Sequence, residues 1–144
     1  MFATNTVAQT RYAEDAVLSA TPSGLLTMLY DRLLLDLRRA EAAGEASDWT
    51  GAAAHAVHAG RIVGELSATL RSGVWDGSEQ LAALYSYVSR RISEAVVHKD
   101  ASRVTEAIEL LEPIRQAWHE AAAQLPAAGS GADARGNGGE LGVA

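Results

Sequence analysis

Apolar residues recur at helical spacing through most of this chain, in four runs separated by turn-forming residues. In the first run Thr21 and Pro22 form a helix-start signal, because a hydroxyl accepts from free backbone N–H groups and proline at the first helical position forfeits no bond. Leu25, Met28, Leu29, Leu33, Leu37 and Ala40 then share one face, and Gly44 reads as a left-handed residue ending the helix. Asp48 reads as the cap of a second helix, in which Ala52, Ala56, Ala59, Val63, Leu66 and Leu70 alternate four and three apart as in an antiparallel bundle seam. After SGVWDGS, where Asp76 and Glu79 have capping-box spacing, a third helix places Leu81, Leu84, Tyr85, Val88, Ile92 and Ala95 inward and ends at His98 and Lys99. Asp100 starts the fourth, whose inward stripe is Val104, Ala107, Ile108, Leu111, Ile114 and Trp118, with a bend predicted between Glu109 and Pro113.

Four amphipathic helices on short connections predict an all-α protein, an antiparallel up-down-up-down four-helix bundle over residues 21–124. Residues 1–20 are polar with isolated apolar positions at Val7, Tyr12, Val17 and Leu18, and read as an N-terminal arm. Residues 125–144 are rich in Gly and Ala without a period, and are predicted to form a disordered tail because they cannot bury enough apolar surface to offset their ordering entropy.

Composition narrows the function classes. With 144 residues and 48% hydrophobic content, one core is expected. Cysteine is absent, which removes disulfides, thiol nucleophiles and Cys-ligated zinc. Twelve Lys and Arg against eighteen Asp and Glu leave a net charge of -6, which opposes nucleic-acid binding. The first residues lack a basic and then apolar leader pattern, and no apolar run is long enough for a membrane span, so a soluble cytoplasmic protein without membrane or nucleic-acid partners is expected.

No catalytic constellation emerges, so no enzyme activity, cofactor or metal is expected. The acidic residues Asp31, Asp36, Glu41, Glu106, Glu109 and Glu112 read as solvated helix faces. His55 and His58 have a spacing that could serve two metal ligands, but no second ligand pair accompanies them. AHAVHAGR, from Ala54 to Arg61, resembles a degraded form of the phosphorylatable helix of histidine phosphotransfer domains, with His58 where a lysine is usual and Ala59 at the glycine position. A homo-oligomeric structural bundle is the other alternative class.

A more extensive resemblance is carried by Tyr12, Thr21, Pro22, Leu25, Met28, Leu29, Tyr30 and Asp31, then Leu84, Tyr85, Tyr87, Arg90, Arg91, Glu94, Ala95 and Asp100, and finally Ala117 and Trp118. Their order and spacing resemble the FliS family, export chaperones that hold flagellin in the bacterial cytoplasm. Val96, where the family usually has Asn, and Pro113, where a helix former is usual, depart from the pattern. The resemblance implies an ATP-independent chaperone that binds the disordered C-terminal segment of flagellin one-to-one. It would prevent premature polymerisation and keep flagellin competent for type III secretion, with the flagellar export gate as a further partner left open. It also implies that the arm, through Tyr12, Val17 and Leu18, covers part of a groove until the client displaces it. On the bundle, Ile62, Leu66, Leu70, Tyr87 and Val97 lie at or beside the seam edge and are the expected client contacts.

Overall fold

The computed structural model describes residues 22–72 and 77–124. They form four α-helices: α1 (Pro22–Glu45), α2 (Trp49–Ser72), α3 (Ser78–Val97) and α4 (Ser102–Gln124). The expected arm, the tail and Asp76 of the expected capping box lie outside the described residues. The N-cap of α3 is Gly77 in the left-handed conformation, with no side-chain cap.

Two hairpins with the same local chemistry build the fold. Ser47, at φ 59, follows α1, with Ser47 N–H donating to the Gly44 carbonyl (3.0 Å) and Asp48 N–H to that of Ala43 (2.8 Å). Lys99, at φ 52, follows α3, with Lys99 N–H donating to Val96 (3.4 Å) and Asp100 N–H to Ala95 (2.9 Å). Both are Schellman closures, which satisfy carbonyls that the helix end leaves open. Each closing aspartate then opens the next helix: Asp48 Oδ1 accepts from Gly51 N–H, and Asp100 Oδ1 from Ser102 N–H, both at 3.0 Å. Gly44 is therefore not the left-handed residue its position suggested. It lies inside α1, and a Cβ there would come within 3.0 Å of the Trp49 ring.

Contacts divide the chain into two compact units, residues 28–116 and the two terminal portions. In the terminal unit, the Thr27 hydroxyl donates to the Gly24 carbonyl at 2.7 Å. The central unit holds the core. Arg115 to Asp31 (2.9 Å), Arg38 to Glu112 (2.8 Å) and Thr105 to Glu41 run in opposite senses along α1 and α4, which makes these helices antiparallel neighbours. Glu106 against Arg91 and Glu94 against Arg103 do the same for α3 and α4. Asp36 against His58 joins α1 to α2. Among the described residues, α2 and α3 have the closest backbone packing, because α2 turns Ala52, Ala56 and Ala59 inward.

The core consists of Tyr30, Leu33, Leu34, Leu37 and Ala40 of α1, Ala52, Ala56, Ala59, Ile62, Val63 and Leu66 of α2, Tyr85, Val88, Ile92 and Ala95 of α3, and Val104, Ala107 and Leu111 of α4. The stripes on α2 and α3 are those expected, except that Leu70, Leu81 and Leu84 are only half-buried. On α1 the inward face is rotated: Leu25 is exposed, Met28 and Leu29 are half-buried, and Tyr30 and Leu34 take the interior. Trp118, Ile108 and Ile114 are half-buried rather than core. Pro113 lies on the exposed side of a continuous α4, where the carbonyl it leaves without a helical donor, that of Glu109, belongs to another exposed residue.

Two polar features interrupt this interior. Asp36, expected on a solvated face, is fully buried; it falls one helical turn from Leu33 and Ala40, on the edge of the inner stripe toward α2. Its carboxylate accepts from Arg32 Nε at 3.2 Å and pairs with His58 Nδ1. Across the core the hydroxyls of Tyr30 and Tyr85 bond each other, joining α1 to α3. Every buried side-chain polar atom among the described residues has a partner.

Removing the Tyr30 hydroxyl takes from the buried Tyr85 hydroxyl its hydrogen-bond partner, which costs about 1–3 kcal/mol. Tyr30→Phe is expected to lower the urea-unfolding free energy by that amount, and Tyr85→Phe, which removes the same bond, to lower it as well. The double variant should lose clearly less than the sum, as read from a double-mutant cycle; additive losses would show that the hydroxyls are not coupled.

Candidate functional site

Two cavities of about 430 Å³ each open between α2 and α3, and Ser89 lines both. Together they form a trough along most of α3, a 20-residue helix and hence about 30 Å long. At one end the wall is polar, with Ser67, Ser78, Glu79 and Ser86 around Leu70 and Ala82. At the other it is aliphatic, with Ala53, Val57, Ile92, Val96 and Val97. Val57 is 56% exposed and Val97 75% exposed, so this end presents apolar surface to solvent. The floor is shallow because the residues facing across it are small: Gly60 on α2, Ser89 and Ser93 on α3. The core residues Ala56, Tyr85 and Ile92 also line the cavities, so the trough runs along the edge of the seam between α2 and α3.

The structure separates the expected contact residues into three groups. Leu70 and Val97 line the trough at its opposite ends. Ile62 and Leu66 do not: they are 7% and 0% exposed, because their spacing continues the core stripe of α2. Tyr87 lies on the side of α3 that faces α4, where its hydroxyl donates to Glu106 Oε2 at 2.8 Å. Tyr12, Val17 and Leu18 lie outside the described residues. Sequence reasoning missed Val57, Gly60, Ser89, Ser93 and Val96. Val57 was detectable as a large aliphatic residue off the α2 stripe, and Val96 had already stood out as a departure from the family pattern.

The opposite edge of α3 is sealed by charge. Arg91 Nε donates to Glu106 Oε1 at 2.5 Å and its guanidinium lies 6.0 Å from the Tyr87 ring centroid, while Arg103 reaches both Glu94 (3.2 Å) and Asp100 (3.2 Å). The hydrogen bond to Glu106 pushes the Tyr87 phenol above its ordinary range, and the bonds from Tyr87 and then Arg91 hold the Glu106 carboxyl below its own. Ser102 and then Arg103 lower Asp100, and Arg115, with a smaller contribution from Arg38, lowers Glu112.

Among the described residues, no group of three or more His, Cys, Asp or Glu side chains is arranged to hold a metal ion. No described helix is long and apolar enough to cross a membrane. His58, which stands where the phosphotransfer pattern has a lysine, is engaged by the Asp36 carboxylate and not free to offset a phosphoryl charge on His55, which weighs against the phosphotransfer alternative. What the fold presents is a helical bundle with an open groove between two of its helices. Residues 3–125 match the family model described as flagellar protein FliS, and the chain belongs to that family. It is similar to the flagellar secretion chaperone FliS of Bacillus subtilis (strain 168), 31% identical over 112 residues that cover 78% of this chain and 84% of the relative. It is also similar to the protein of that name from Escherichia coli (strain K12), 34% identical over 112 residues, covering 74% and 80%.

The lowered carboxylates determine the sign of an acid dependence. A carboxyl whose folded value is depressed contributes stability above its unfolded value, near 4.5 for glutamate, and that stability is lost as pH falls through the lowered folded value. The urea midpoint is therefore expected to fall as pH drops from about 5 to about 3, and less steeply in the Glu106→Gln, Glu112→Gln double variant. Equal slopes for both proteins would show that these pairs do not contribute.

Proposed function

We propose that this protein is a cytoplasmic export chaperone that binds the disordered C-terminal segment of flagellin one-to-one. By occupying that segment it prevents premature polymerisation and keeps flagellin competent for flagellar type III secretion, and the loaded complex is what the export gate would meet. The trough between α2 and α3 carries this reading. It is long enough for about five turns of helix and has an aliphatic rim exposed to solvent. Membership of the FliS family supports the same reading.

The physical logic needs neither cofactor nor catalysis. A disordered segment that folds onto a groove buries about 1,000–3,000 Å² and gives up several kcal/mol in ordering, so the complex protects the client yet remains releasable. A mostly preformed groove on a rigid bundle keeps the chaperone's share of that ordering small.

The test is calorimetric titration with a peptide covering the C-terminal helical segment of flagellin from the same organism, with a scrambled peptide as control. Saturable one-to-one binding of the native peptide alone, with a negative heat-capacity change, is the expected result. The protein should also be monomeric by light scattering before the client is added. Failure of the native peptide to bind, or a stable oligomer that buries the groove without a client, would overturn the reading.

A further inference from the structure

Tyr85 belongs to two features at once. It lines the polar-end cavity of the trough with Ser67, Leu70, Ala82, Ser86 and Ser89, and its hydroxyl bonds that of Tyr30 inside the core. Tyr30 lines neither cavity and is fully buried on α1. Tyr85 itself is 3% exposed, and burial raises its phenol above the ordinary range, an effect that the bond with Tyr30 partly offsets. One wall of the trough is therefore held from the far side of the core.

The alternative to Tyr30 lies in the cavity. The hydroxyls of Ser67, Ser78, Ser86 and Ser89 line it together with Glu79, and at about 430 Å³ it has room for a phenol ring. A tyrosine on a helix has a choice of two staggered positions about its first side-chain bond. Because a buried hydroxyl without a partner is costly, the side chain takes the position that satisfies it. Here the Tyr30 hydroxyl makes the core side the satisfied one. Ser89 lines both cavities, so a ring turned into the polar-end cavity would block the trough there and leave only its aliphatic end.

We propose that Tyr30 is a positioning residue for client binding: by holding the Tyr85 hydroxyl on the core side, it keeps the Tyr85 ring out of the polar-end cavity and the full length of the trough open. This rests on the client-binding reading above, and it gives a part in that binding to a residue that the client cannot touch.

The experiment compares the full chain with Tyr30→Phe, with the Tyr30→Phe, Tyr85→Phe double variant and, as a control, with Val104→Ala, which loosens the core on α4 away from both cavities. All are studied where circular dichroism shows them folded. The first readout needs no client: nitration by tetranitromethane, located by peptide mass mapping, reports how far the Tyr85 ring is open to solvent. It should rise several-fold at Tyr85 in Tyr30→Phe and stay at the parent level in Val104→Ala. No rise, or an equal rise in both variants, would overturn the proposal. The second readout is titration with full-length flagellin from the same organism. Tyr30→Phe is expected to weaken binding about fivefold, because apparent affinity falls with the fraction of molecules whose groove is open. The double variant should recover most of that loss, since phenylalanine at position 85 has no hydroxyl to satisfy in the cavity, and Val104→Ala should bind as the parent does. Unchanged binding by Tyr30→Phe, or equal weakening in the single and double variants or in Val104→Ala, would show that the pair serves stability alone and would overturn the proposal. If the parent protein does not bind flagellin, the client reading fails and the nitration pattern alone decides whether Tyr30 holds the cavity open.

Discussion

The hydroxyl bond between Tyr30 and Tyr85 is the contact on which the rest of the bundle depends. It joins α1 to α3 across the bundle, and both side chains are buried. Apolar packing alone tolerates a helix sliding or rotating slightly, since one methyl replaces another. A buried pair of hydroxyls does not, because any shift that parts it loses a hydrogen bond that apolar packing does not replace. With α1 and α3 held in register, the Schellman closures at Ser47 and Lys99 and the caps at Asp48 and Asp100 direct α2 and α4 back along them. Asp36, held by Arg32 and His58, secures the α1–α2 side in the same way.

The groove follows from this arrangement by omission. On the α3–α4 side, Tyr87, Arg91, Glu94, Arg103 and Glu106 cover the seam with long side chains that bond one another. On the α1–α4 side, Arg38, Glu112, Arg115 and Asp31 do the same. Between α2 and α3 the corresponding positions are Ala, Gly and Ser, which hold the helices close but cannot reach over the seam. The trough is thus the one seam among these three that lacks covering side chains.

Much of this architecture was legible in the residues. The stripes on α2 and α3 and the capping aspartates Asp48 and Asp100 were readable, because helical period and end-capping are local properties, while Thr21 of the expected first cap lies outside the described residues. The errors share a cause. Gly44 was misread because its reason is Trp49, a tertiary neighbour, and Asp36 because its burial depends on how far α1 is rotated. Ile62 and Leu66 were placed at the groove because a stripe identifies apolar residues without saying whether a neighbour will cover them.

Local order in the chain sufficed for four helices, their antiparallel connection and the family to which they belong. It could not establish which apolar residues stay exposed. Exposure is a property of pairs of helices: Val57 and Val97 are solvent-facing because their neighbours on the opposite wall are small, and Tyr87 is engaged because Glu106 lies across from it on α4. Helical period places a side chain on a face, and only the packing of four faces against one another decides which of them is left open.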